Sequence, residues 1–248
     1  MIGFFRKIRQ NLVMKNRTGK YIKYAFGEII LVVIGILIAL QINNWNELNK
    51  EIKEENRILL NLNKDIENDT LQLNNHIIQS NKRLKLLDSL MHTLANNKTE
   101  NLVDFIDSSI NGIGYENYFR VNSGTYDESV ASGSIKFIRN DSLRQYIFNY
   151  YRDAKLNYTD NNSVQQVYRD IYPVFWRKLM ATKDVMELMG VPSQLSHLEI
   201  TQLARDKEFM GMILQKVGSE YNQLDDWESF NTRAKYLSDL LNKELNND

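Results

Sequence analysis

The residues best suited to acid–base or metal chemistry in this chain are three histidines, His76, His92 and His197, and a few close carboxylates. Their spacing supports neither kind of chemistry. No H-E-x-x-H, no glycine-rich phosphate loop and no G-x-S-x-G elbow occurs, and the histidines are too far apart in sequence to form a local ligand set. With no cysteine at all, a thiolate metal site, a cysteine nucleophile and a disulfide framework are excluded. Asp65 with Asp69, and Asp225 with Asp226, are pairs that any solvated helix carries. His76 falls on an apolar stripe and reads as a bundle residue. Catalysis needs a nucleophile, a base and an orienting group in one pocket, and no residues nominate themselves. The expectation is a protein that is not an enzyme and holds no cofactor or metal.

A binding pocket is the remaining chemical possibility. Tyr146, Tyr150, Tyr151, Tyr158, Tyr168, Tyr172, Phe175 and Trp176 make the middle of the chain unusually aromatic, with Arg139 and Arg144 close by in sequence. Such a set could line an amphipathic pocket between helices. Tyrosines at helical spacing also make ordinary core, with their hydroxyls at its rim. Both readings stay open on sequence.

The elements that would position these residues follow from composition and periodicity. In 248 residues there are 31 basic and 31 acidic side chains, 11 glycines and two prolines. So few turn formers favour helices over a sandwich or barrel. The neutral total hides an asymmetry. Residues 1–23 carry Arg6, Lys7, Arg9, Lys15, Arg17, Lys20 and Lys23 without one acid, leaving 24 basic against 31 acidic groups in the rest. An acidic body argues against nucleic acid as a partner.

The basic head runs into YAFGEIILVVIGILIALQINNWNE, where residues 29–40 lack any polar side chain. With its flanks the run approaches the ~20 residues that cross a bilayer as a helix. Cations before it and asparagines after it fit a cytoplasmic N-terminus, and Tyr21, Tyr24 and Trp45 stand where an aromatic belt would. No A-x-A site follows the run, so an uncleaved signal anchor is expected. Arg6, Lys7, Arg9 and Lys23 would face the headgroups, from a head patterned like an interfacial helix. Glu28 is an acid at the edge of the span, able to reach headgroups, pair with Lys23 or contact a partner. Gly35 and Ala39 make one small-xxx-small step that would admit a second helix.

Beyond the span, Trp45, Ile52, Leu59, Ile66 and Leu73 step by sevens, Ser80 interrupts, and Leu87 and Leu94 resume. This predicts one long helix over 45–94 packed in a bundle. A second long helix is expected over 206–245, where Met210, Ile213, Val217, Tyr221 and Leu224 lead into Trp227, Phe230, Ala234, Leu237 and Leu241. The two lengths suit antiparallel packing. Between them, Asn140 opens a helix through Ala154, Pro173 should end or kink its continuation, and 174–189 should form a short helix closed by Gly190. Short helices are also expected over 101–110 and 125–132, the latter ended by Gly133. The fold class is therefore all-α: one N-terminal transmembrane helix, then an extracytoplasmic helical bundle with two long antiparallel helices. Its expected parts are a cytoplasmic basic segment, 1–23, a transmembrane helix, 24–43, and the bundle, 44–248.

Two stretches carry a resemblance. FFRKIRQ…GEIILVVIGILIALQINNWNE, together with TYDESVASGSIKFIRNDSLRQYIFNYY over 125–151, resembles a family of small bacterial inner-membrane proteins known only as a domain of unknown function. The matching positions of the second stretch are Ser132, Gly133, Ile138, Asn140, Leu143, Arg144, Tyr150 and Tyr151. The resemblance implies a single span before a helical extracytoplasmic domain, and no reaction. Gly133 as a left-handed helix end, Asn140 as a cap and Leu143 with Tyr150 or Tyr151 as core would give the motif a folding role. The function expected is a membrane-anchored, non-catalytic bundle in the bacterial inner membrane that binds another envelope protein or itself. The alternative is a ligand-sensing bundle. With only about 23 residues inside, it would have to signal through a separate partner.

Overall fold

The computed structural model describes residues 18–96, 102–115, 118–159, 162–192 and 198–247. These residues form helix α1 (Thr18–Ala95), α2 (Leu102–Ile113), α3 (Gly124–Ser132), a 3-10 turn (Ser134–Phe137), α4 (Asp141–Thr159) and α5 (Asn162–Met180). The short helices α6 (Lys183–Leu188) and α7 (Ile200–Leu203) lead into α8 (Lys207–Asn247). Among the described residues there is no strand, only an isolated bridge between Thr182 and Leu198. The all-α expectation holds. The chain divides into two compact units, Met1–Glu55 and Asn56–Asp248.

The first unit holds the apolar run. Helix α1 contains an 18-residue window of mean hydropathy 2.5, none of it buried, which is long and apolar enough to cross a membrane. Trp45 and Leu48 are exposed as well. The stripe expected to begin packing at Trp45 therefore does so only further along the helix.

In the second unit the stripe is buried as the spacing requires. Leu59, Ile66, Leu73, Ser80, Leu87 and Leu94 form one series of sevens, and Leu62, Asp69, Arg83 and Leu90 belong to a second. Helix α8 answers with Phe209, Lys216, Gln223, Phe230 and Leu237, interleaved with Ile213, Glu220, Trp227, Ala234 and Leu241. Alternating steps of three and four keep each set on one face of its helix. The two helices are antiparallel. Asn63 bonds Asn242, Asn74 bonds Asn231 and Ser80 bonds Glu220, so one number falls as the other rises.

Side chains from these stripes make two separate apolar cores. The first gathers Leu59, Leu62, Ile66 and Leu73 of α1, Ile147, Tyr150 and Tyr151 of α4, and Phe230, Leu237 and Leu241 of α8. The second gathers Leu87, Leu90 and Leu94 with Phe105, Phe175, Leu179, Phe209 and Ile213. Between them, both long helices place polar residues on the buried face, creating a polar waist.

Local signals set the shorter elements. Asn140 accepts from the Leu143 N–H at 3.1 Å and caps α4. Asp206 does the same for α8, accepting from the N–H groups of Glu208 and Phe209 at 3.0 and 3.1 Å. Gly133 ends α3 at φ 73°, a left-handed conformation that favours glycine. Pro173 does not end the helix, as one of the two expected outcomes required, because α5 runs through it. Pro173 is exposed, as are Arg169 and Asp170 one turn earlier, so the carbonyl it leaves unpaired faces solvent and can be hydrated. The break falls instead at Thr182, which is extended at ψ 143° and separates α5 from α6.

Candidate functional site

The residues nominated at the membrane interface lie along the first unit. Arg6, Lys7 and Arg9 fall outside the described residues, as do the side chains of Tyr21 and Tyr24. Lys23 and Trp45 are exposed, and Glu28 is half-buried. Among the described residues Gly35 has no atom within 4 Å of where a Cβ would stand, and Ala39 is exposed one turn on. A small-residue step with such open space leaves room for another helix.

The central signature builds the first core. Tyr150 and Tyr151 are fully buried in it, with their rings edge-on at 5.2 Å. Tyr151 stacks on Tyr126 at 4.4 Å. Asn140 also donates to Glu244 at 2.9 Å, tying the start of α4 to the end of α8. Arg144 donates to the Ile138 carbonyl at 2.6 Å and pairs with Asp141 at 2.5 Å, fixing the turn before α4. Ser132 and Arg139 are exposed. The aromatic residues Tyr126, Tyr150, Tyr151 and Phe230 thus fill core.

Asp69 has no exposed surface and meets this core at Tyr150. Its Oδ1 accepts from the Asn122 backbone N–H at 2.8 Å and the Asn122 side-chain amide at 2.7 Å, and its Oδ2 accepts from the Tyr150 hydroxyl at 2.9 Å. All three donors are neutral. Burial pushes the carboxyl above the usual aspartate range, and these bonds offset it only in part. Among the described residues the buried Tyr151 hydroxyl has no hydrogen-bond partner, and burial also pushes its pKa upward. His76 packs against Trp227 at 5.2 Å with Nε2 at 3.2 Å from the Tyr118 carbonyl; burial pulls its pKa down.

The polar waist treats a carboxylate differently. Glu220 is fully buried and is gripped by Arg83, from Nε to Oε1 at 2.9 Å and from Nη2 to Oε2 at 3.0 Å. Lys216 reaches Oε1 at 2.8 Å, and the Ser80 hydroxyl donates to Oε2 at 2.8 Å. Burial pushes the Glu220 carboxyl up, but the Arg83 bonds and the two cationic charges outweigh it and hold it below its usual range. Arg83 and Lys216 are themselves almost fully buried, so the trio carries one surplus positive charge. Beside it opens a cavity of about 320 Å³, lined by Gln79, Lys82, Arg83 and Leu86 of α1, Asp107 and Asn111 of α2, and Tyr115.

The waist was not nominated from sequence. Its one local signal is Ser80, the polar residue that interrupts the heptad series. On α8 the apolar spacing points through Val217 and Tyr221, but Tyr221 is exposed and the buried face passes through Lys216, Glu220 and Gln223. Polar residues, which spacing of apolar side chains does not reveal, do the packing there.

The fold and these two polar centres define an all-α protein: one helix able to span a membrane, followed by a helical body with a buried, charge-rich waist. The chain belongs to DUF6090, a family of unknown function, whose sequence model matches residues 28–170, more than half of the chain. The match takes in the apolar run, Asp69, Arg83 and the central signature, while Lys216 and Glu220 lie beyond it. No curated protein matches the chain, and no solved structure matches it.

Proposed function

We propose that this protein is held in the bacterial inner membrane by a single uncleaved span, with residues 1–23 cytoplasmic and 44–248 outside. Its bundle acts without catalysis, by binding another envelope protein or a second copy of itself. The observation that carries this reading is the exposed apolar window of α1, which none of the described residues covers. Protein surfaces do not leave such a run in water, and its length suits the hydrocarbon of a bilayer. Seven cations before the window and none in the residues just after it support the orientation. The absence of catalysis is supported by how two of the three fully buried carboxylates among the described residues are used: Asp69 and Glu220 are committed to donors that hold the fold. A C-terminal alkaline phosphatase fusion should be active, and a fluorescent protein fused at the same point and exported by the same route should be dark. The reverse pattern overturns the orientation. Affinity purification of the intact protein from detergent-solubilised membranes should then recover a stoichiometric partner or a second copy.

A further inference from the structure

The cavity beside the waist has a mixed polar and apolar lining. Lys82 and Arg83 stand on its α1 wall, Asp107 and Asn111 on its α2 wall, and Leu86 and Tyr115 supply apolar surface. At about 320 Å³ it sits at the small end of ligand pockets, which run from about 300 to 1,000 Å³. That suits a metabolite rather than a peptide.

Its charges are only partly used. Arg83 spends Nε and Nη2 on Glu220, and among the described residues Nη1 has no hydrogen-bond partner. Because the Glu220 fork fixes the planar guanidinium, the unused nitrogen is held in place before any ligand arrives. Two buried cations share one buried carboxylate there, and a surplus charge at such a site is costly until an anion meets it. Lys82 has no partner among the described residues, and Asp107 has only Asn111. A plain anion would gain from the cations and lose against Asp107. A molecule carrying both charges gains from each.

We propose that this cavity binds a small zwitterion of the α-amino acid class. The carboxylate takes Arg83 Nη1 and Lys82, the ammonium takes Asp107, and the side chain lies against Leu86 and Tyr115. Gln79 and Asn111 supply the remaining polar contacts at the rim. This inference needs only the cavity, whichever macromolecular partner the bundle binds.

The test is calorimetric titration of the full chain in detergent with each of the standard L-α-amino acids at millimolar concentration. At least one should bind saturably. Its deaminated acid and its decarboxylated amine should each bind about tenfold more weakly or worse, the effect of losing one charged hydrogen bond. Asp107→Asn and Lys82→Gln change exposed residues outside the buried trio, so each should weaken binding by a similar factor while leaving helix content unchanged. Arg83→Lys keeps a cation beside Glu220 but removes Nη1, and should weaken binding too. The proposal is overturned if no amino acid binds, if the deaminated acid binds as well as its parent, or if Asp107→Asn binds like the unaltered chain.

Discussion

Along α1, the same residue types meet opposite surroundings. From Ile29 to Leu40 the large apolar side chains are 47–69% exposed, whereas Leu59, Leu62, Ile66 and Leu73 on the same helix have no exposed surface. The pattern of the two stretches explains the difference. Residues 29–40 are apolar all round, so no single face can be covered by one neighbouring helix. Residues 59–94 confine their apolar side chains to a stripe, which α4 and α8 cover in the first core and α5 and α8 in the second. A continuous apolar surface needs an apolar solvent, and a stripe needs a partner helix. Within the covered stretch a second contrast appears between Asp69, buried among neutral donors, and Glu220, buried between two cations.

The largest expected effect breaks the charge-rich waist. Glu220→Gln leaves Arg83 and Lys216 buried without their counter-charge, which should cost about 3–5 kcal/mol in denaturant unfolding followed by circular dichroism. The pH dependence should change with it. A carboxyl held below its usual range stabilises the fold above that range, and this contribution is lost as pH falls below about 4.5 toward the folded value. The melting temperature of Glu220→Gln should therefore fall less steeply on acidification than that of the unaltered protein. Asp69 works in the opposite direction. Its raised pKa favours folding only at acid pH, and that contribution disappears as pH rises through the folded value.

Truncating the stripe comes next. Leu62→Ala opens a cavity in the first core and should cost about 2–5 kcal/mol. Ile34→Ala, the same kind of change in the exposed stretch, should move unfolding of the body by about 0.5 kcal/mol or less. Equal effects would erase the contrast between the two stretches. Tyr150→Phe removes one donor from a buried carboxylate and should cost about 1–3 kcal/mol. Asn140→Ala removes the α4 cap and the bond to Glu244, an expected loss of about 1 kcal/mol.

Much of this architecture is legible in the sequence because its signals are local. Twelve successive apolar residues, a series of sevens from Leu59 to Leu94, the Asn140 cap and the Gly133 stop each act within a few residues, and each stands where its pattern puts it. That Pro173 leaves α5 unbroken is not legible locally, because its effect depends on which face of α5 it occupies, and that face is set by packing. The waist was invisible for a related reason. Arg83 and Glu220 are 137 residues apart, and Asp69 and Tyr150 are 81 apart, so neither pair leaves a trace in local spacing. Read alone, Asp69 and Ser80 look like flaws in an apolar stripe. Their partners on α4 and α8 show them to be the buried positions around which the body is assembled.

Membrane placement is the claim on which the proposed function stands, and the absence of native cysteines allows it to be tested residue by residue. Leu214 is exposed on α8 in the body, and Asn16 lies in the basic head. Single cysteines at each position would be treated in intact spheroplasts with a maleimide that cannot cross membranes. The account predicts that Leu214→Cys is labelled at once and that Asn16→Cys is labelled only after lysis. Labelling of Asn16→Cys in intact spheroplasts, with Leu214→Cys protected until lysis, would contradict it.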